Sequence, residues 1–119
     1  MASIQLENRI RNYALNLNRR KKFPTYVSGA EYRNYRKIAS SGDINNSDFV
    51  KGLRAKLIVF GPLGTKYDGS SIGYCAETVS ANRVLERFPN KLNSLSVGQA
   101  IRPKTLQIGK KCTICNTIF

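Results

Sequence analysis

Gly73-Tyr74-Cys75-Ala76-Glu77 runs directly into Ala81, Val84, Leu85 and Phe88, apolar residues spaced i, i+3, i+4 and i+7. That spacing predicts a helix of about three turns, starting near Cys75 and stopping at Pro89. A thiol then stands at the helix start, and a carboxylate follows two residues later. The other two cysteines lie in Cys112-Thr113-Ile114-Cys115. Residues 110–119 have room for one short helix with Ile114 and Ile118 as its buried side. Cys112 and Cys115 share a face of that helix's first turn, beside Lys110 and Lys111. A helix start and neighbouring cations both lower thiol pKa values, which favours metal-ready thiolates.

The chain has three cysteines and no histidine. A zinc ion held by Cys75, Cys112 and Cys115 therefore keeps one coordination position open, as catalytic zinc sites do and closed structural sites do not. On a fully helical backbone Glu77 stands about 200° around the axis from Cys75. It does not easily join the same ligand set, but it can flank the open position and carry protons there. Three thiolates make such a site negative, and the helix dipoles with Arg83 and Lys111 are the candidate compensation. Each element alone has a plainer reading: redox motifs and zinc ribbons share C-x-x-C, a single cysteine is commonly a small core residue, and glutamate is ordinary in a first helical turn. The combination favours the metal.

The length of 119 residues fits one domain with a modest core. Twenty Lys and Arg against seven Asp and Glu leave a net charge of +13. Such a surplus points to a polyanion, most often nucleic acid, because each neutralised phosphate releases counterions; charge kept for solubility is the plainer alternative. The cations do not oppose a long apolar face, which disfavours a membrane surface, and no stretch is long enough to span a bilayer. The first thirty residues contain no continuous apolar run of the signal-peptide kind. An odd number of cysteines argues against a disulfide framework and for a reducing compartment.

Leu6, Ile10, Tyr13, Ala14 and Leu17 predict an amphipathic helix over 4–18, closed by Arg19-Arg20-Lys21-Lys22 and Pro24. The basic run reads equally as a solvated helix end or as a phosphate-contacting arm. Ser28 and Glu31 have capping-box spacing, which predicts a second helix from Ser28 to about Ser40. Tyr32 and Tyr35 share a face of it; their interleaving with cations suits base stacking, but core packing is the commoner use of that spacing. Residues 40–47 read as a loop, and 48–53 as a short helical turn. The β-branched run Ala55–Phe60 is the clearest strand candidate, followed by a long turn region over 61–71. Leu95–Ile101 and Thr105–Ile108 are further strand candidates.

Through Gly73-Tyr74-Cys75-Ala76-Glu77, the helix through Leu85 and Cys112-x-x-Cys115, residues 55–119 resemble the cytidine deaminase-like superfamily, in particular bacterial polymorphic-toxin deaminases of the YwqJ-like type. The resemblance implies an α/β three-layer sandwich, a mixed sheet with helices on both faces, built as one domain over 1–119 in which a basic helical region, 1–54, packs on the zinc-binding core, 55–119. It implies one catalytic zinc, with Cys75, Cys112 and Cys115 as ligands and Glu77 as the proton carrier. Lys111 stands where proline is usual in the family. With four residues after Cys115, the sheet is expected to be smaller at its C-terminal end or completed by the N-terminal half.

The implied activity is hydrolytic deamination, most readily of cytosine to uracil, in single-stranded or duplex DNA or in RNA, since a free nucleoside needs no polycationic surface. Tyr74, Tyr67, Ala76, Arg83 and Lys111 are the candidate substrate contacts. Toxins of this kind are exported as the tip of a larger bacterial protein, act as monomeric domains in the target-cell cytoplasm, and are neutralised by an immunity protein. Two other readings stay open: a non-catalytic nucleic-acid-binding zinc knuckle, and a free-cytidine deaminase.

Overall fold

The computed structural model describes residues 2–109 and 113–119. Helix α1, Ile4–Arg19, forms where the periodicity places it. Leu6, Ile10 and Ala14 repeat every four residues and are all fully buried, which stabilises the fold by roughly 1.5–3 kcal/mol for each of the two larger side chains. Ser3 caps the helix: its hydroxyl accepts the Leu6 N–H at 3.1 Å and donates to Glu31 at 2.7 Å.

Glu31 is not in a helix. The stretch from Ser28 to about Ser40, expected to be helical, lies in a hairpin of β1, Val27–Tyr32, and β2, Tyr35–Ser40. Their register pairs Tyr32 with Tyr35 across a two-residue turn in which Arg33 takes φ 55°. The capping-box spacing of Ser28 and Glu31 is therefore coincidental here. Glu31 instead reaches the Ser3 N–H at 2.7 Å and the Arg36 guanidinium at 2.8 Å. The first 54 residues consequently supply strands as well as helix, correcting the expectation of a helical region.

A second correction concerns 55–60. Lys51–Leu57 is helix α2, continued by a 3-10 turn over Ile58–Phe60. Leu53 and Leu57, one turn apart, are its buried residues, while Val59 is 80% exposed. Within the run only Leu57 is buried, with Phe60 half-buried and the rest exposed, and it makes no strand. A minimal hairpin of β3, Lys66–Tyr67, and β4, Ser70–Ser71, follows within the turn-rich stretch.

Helix α3, Ala76–Arg87, starts after Cys75 and ends at Phe88, as its spacing requires. The region after it holds one short strand, β5, Ser96–Val97. Thr105–Ile108 makes no strand; Ile108 forms only an isolated bridge with Ile101. The last element is helix α4, Thr113–Ile118, with Ile114 and Cys115 buried.

The sheet has the order β2-β1-β5, and β1 is antiparallel to both neighbours. A mixed sheet needs a parallel pairing, which the described strands do not make. Alternation along β1 gives the sheet two covered faces. Val27 packs with Leu6 and Ile10 of α1, and Gly29 lies so close to α1 that an added Cβ would stand 2.8 Å from Leu6 Cδ1. Ala30 and Tyr32 turn the other way, onto Ala81, Val84 and Phe88. The chain is therefore an α/β protein with α1 and α3 on opposite faces of its sheet.

Beyond α3 lies a second core of Phe49, Leu53, Leu57, Ile72, Leu85 and Ile114. Helix α3 is thus covered on two sides, and Ala76 through Asn82 are all buried. Buried Asn82 accepts the Val50 N–H at 2.8 Å and donates to the Asp48 carbonyl at 2.9 Å, tying the start of α2 to α3. No helix among the described residues is long and apolar enough to cross a membrane.

Candidate active site

The approach to α3 is fixed by backbone. Gly73 has φ +87°, and a Cβ there would stand 2.7 Å from Phe49 Cζ, so both the left-handed conformation and the lack of a side chain are required. Tyr74 follows, its carbonyl accepting the Gly42 N–H at 2.9 Å and its hydroxyl bonding Asn46 Oδ1 at 2.5 Å. Cys75 is then extended at φ −64°, ψ 145°, as the residue preceding the first turn. Its carbonyl accepts the Val79 N–H at 3.0 Å.

Because Cys75 stands outside the helical turn, its relation to Glu77 is not that of an uninterrupted helix. Both line one cleft of about 410 Å³, together with Tyr74, Ala76, Tyr26 and Lys66. Glu77 is 5% exposed, a carboxylate buried at the wall of a cavity large enough for a nucleobase. The Ala76 backbone N–H, at the first position of α3, has no acceptor within its own helix. Cys115 is brought to the same end of α3 from α4: its sulfur lies 3.5 Å from Thr78 Oγ1, and Thr78 is one turn beyond Cys75. Thr113, at the start of α4, donates a hydrogen bond to Asp68 in the turn between β3 and β4.

Two thiols of the sequence motif, Cys75 and Cys115, thus belong to one end of α3, with Glu77 between them in sequence and buried beside the cleft. Soft sulfur donors of this kind suit zinc. Cys112 and Lys111 lie outside the described residues. Among the described residues no group of three or more His, Cys, Asp or Glu side chains is gathered around one point.

The structure does not bring Tyr67 or Arg83 to the cleft. The Tyr67 ring packs edge-on against Phe60, with centroids 5.0 Å apart. Arg83 lies further along α3 and binds Asp43 through its carboxylate at 3.1 Å and its carbonyl at 2.9 Å. Tyr74 and Ala76 line the cleft.

Tyr26 and Lys66 are cleft residues that the sequence pattern does not single out. Two neighbours hold Tyr26: the Arg102 guanidinium lies over its ring at 5.2 Å, and Gly109 passes so close that an added Cβ would stand 2.3 Å from Tyr26 Cε1. An aromatic wall and a cation at the mouth suit a planar, electron-rich ligand attached to phosphate. Their only sequence signal was their position in turn-rich segments, where no periodicity marks a face.

No family model, curated protein or solved structure matches the chain.

Proposed function

We propose that the protein is a zinc-dependent hydrolytic deaminase that converts cytosine to uracil within a nucleic acid. The observation that carries this reading is the buried Glu77 lining a 410 Å³ cleft beside Cys75, with Cys115 delivered to the same end of α3. Cys75, Cys115 and Cys112 would hold the zinc. When bound, it supplies a Lewis acid that makes water a competent nucleophile near neutral pH.

The protein's part is proton movement and orientation. Glu77 takes a proton from the attacking water and gives it to the ring nitrogen beside the amino-bearing carbon. Water's oxygen bonds to that carbon, and Glu77 carries the second proton to the amino group, which leaves as ammonia. Cytosine and water thus become uracil and ammonia. The Ala76 N–H is a donor for the base, Tyr26 and Tyr74 form walls that fix its plane, and Lys66 neutralises a flanking phosphate. Burial of Glu77 excludes bulk water that would otherwise compete for its protons.

The net charge of +13 favours a polymer over a free nucleoside. Export as the tip of a larger bacterial toxin, action in the target-cell cytoplasm and inhibition by an immunity protein complete the proposal, and these rest on the family resemblance alone.

The test is to incubate the protein with single-stranded DNA, duplex DNA, RNA and free cytidine, and to measure uracil by mass spectrometry. Uracil in a polymer with wild-type protein, and none with Glu77→Gln, is the expected result. Turnover of cytidine alone would replace the polymer substrate with a nucleoside. Tight polymer binding with zinc bound and no uracil would favour a zinc-knuckle binding domain.

A further inference from the structure

Away from the cleft, at the opposite end of α3, lies a group of cations seated on aromatic rings. Tyr32 and Tyr35 flank the hairpin turn and pack on Phe88 at the end of α3, with centroids 5.0 and 5.5 Å away. Arg33 and Lys91 lie over Tyr32 at 5.4 and 5.7 Å. Lys37 and Arg87 lie over Tyr35 at 5.4 and 5.2 Å. All four cations are exposed, whereas the rings are half-buried.

This arrangement separates two roles that sequence reading would merge. The rings pack into the protein and hold the cations in place without neutralising them, because a ring face offers only a quadrupole. None of the four is within ion-pairing distance of a carboxylate among the described residues. Glu86 is the carboxylate that lines the adjoining hollow of about 300 Å³ with Tyr35, Lys37, Arg83 and Arg87, and the Arg83 charge is already engaged by Asp43. What remains is a surface of four exposed cations, two of which, Lys37 and Arg87, line the hollow beside Glu86.

We infer that this surface is the docking site for the phosphates of a single-stranded nucleic acid whose target base enters the cleft at the other end of α3. Twelve helical residues separate the two ends, about 18 Å at 1.5 Å per residue. A stacked strand covers that distance in about five nucleotides at 3.4 Å each. The surface deepens the nucleic-acid reading above, and its test measures binding alone, so absence of deamination leaves it standing.

The experiment measures anisotropy of a labelled 12-nucleotide single-stranded DNA across a salt series, in the Glu77→Gln background. Arg33, Lys37, Arg87 and Lys91 are all changed to Gln, leaving the rings intact. A control changes Arg9, Arg11, Arg54 and Lys56 to Gln; these are exposed on α1 and α2 and remove the same net charge. Each lost phosphate contact lowers the salt slope by about 0.7, so the patch variant is expected to lose about 3 from its slope and the control little. The pair Arg33→Gln with Lys91→Gln, both over Tyr32, is expected to lose about half as much, which keeps the test decisive if the fourfold variant melts early. Equal losses in patch and control variants, or an unchanged slope in the patch variant, would overturn the assignment. So would labelled polyglutamate of equal charge that binds as tightly as the DNA and loses as much in the patch variant.

Discussion

Helix α3 is built differently at its two ends. At the N-terminal end a carboxylate is buried against a cleft, a thiol precedes the first turn, and a second thiol arrives from α4. At the C-terminal end exposed cations lie over rings that are themselves half-buried. Burial makes a charge chemically responsive, because its protonation then depends on the few groups around it. Exposure keeps a charge constant and available to any passing phosphate. On the proposed function one helix would join a reactive end to a binding end, and its two-sided packing would fix the distance between them.

Changes at the reactive end are expected to cost the most. Glu77→Gln keeps size and hydrogen-bonding shape but cannot carry protons, so turnover should fall by roughly 10²–10⁴-fold with the melting temperature nearly unchanged. An active Glu77→Gln protein would remove the distinction between the two ends. Gly73→Ala acts one step earlier in the chain. It forces a side chain into a left-handed position and against Phe49, so chemical denaturation should show a loss of about 2 kcal/mol or more, with activity falling further than stability.

A smaller effect is expected where α1 meets the sheet, far from either end. Burial works to raise the Glu31 pKa, but the Ser3 N–H, the Ser3 hydroxyl and the Arg36 guanidinium outweigh it and leave the carboxyl below its ordinary 4.5. A folded pKa below the unfolded one means the ionised carboxylate stabilises the fold above the unfolded value, and that contribution disappears as pH falls through the folded value. Melting temperatures taken from pH 7 down through the acid range should therefore drop more steeply in wild type than in Glu31→Gln. Parallel curves would show that the Ser3–Glu31–Arg36 network adds no pH-dependent stability.

The smallest effect is expected at Arg83. Its partner Asp43 is largely exposed, and exposed pairs contribute about 0.2–1 kcal/mol. Arg83→Ala should leave cytosine turnover unchanged, in contrast to the compensating role its sequence position invited. A large loss of turnover would move the substrate further along α3 than the cleft allows.

The two long amphipathic helices were legible because their apolar residues keep one period over at least two turns. Helix α3 and its start at Cys75 are legible from Ala81, Val84, Leu85 and Phe88 alone. The hairpin was not, because after Val27 strand β1 carries Ser28, Gly29, Ala30 and Glu31, residues too small or polar to give an alternating signal. Gly29 is small because α1 lies against it, and Glu31 is polar because it joins Ser3 to Arg36; both causes are tertiary. The 55–60 run misled in the opposite way. Its composition is that of a strand, whereas Phe49, Leu53 and Leu57, spaced by four, carried the helical signal one segment earlier. At the site, Cys75, Ala76 and Glu77 were legible as a local motif, but Tyr26 and Lys66 reach the cleft only through the folding of separate loops.

The central claim is that the N-terminal end of α3 is a metal-assisted site, and metal content tests it most directly. Protein purified without chelator should carry one zinc per chain by elemental mass spectrometry. Cys75→Ser and Cys115→Ser should each lose most of it, while the fourfold patch variant keeps it. Stoichiometric zinc retained in both cysteine variants, or a folded wild-type protein that takes up no zinc on addition, would contradict the account.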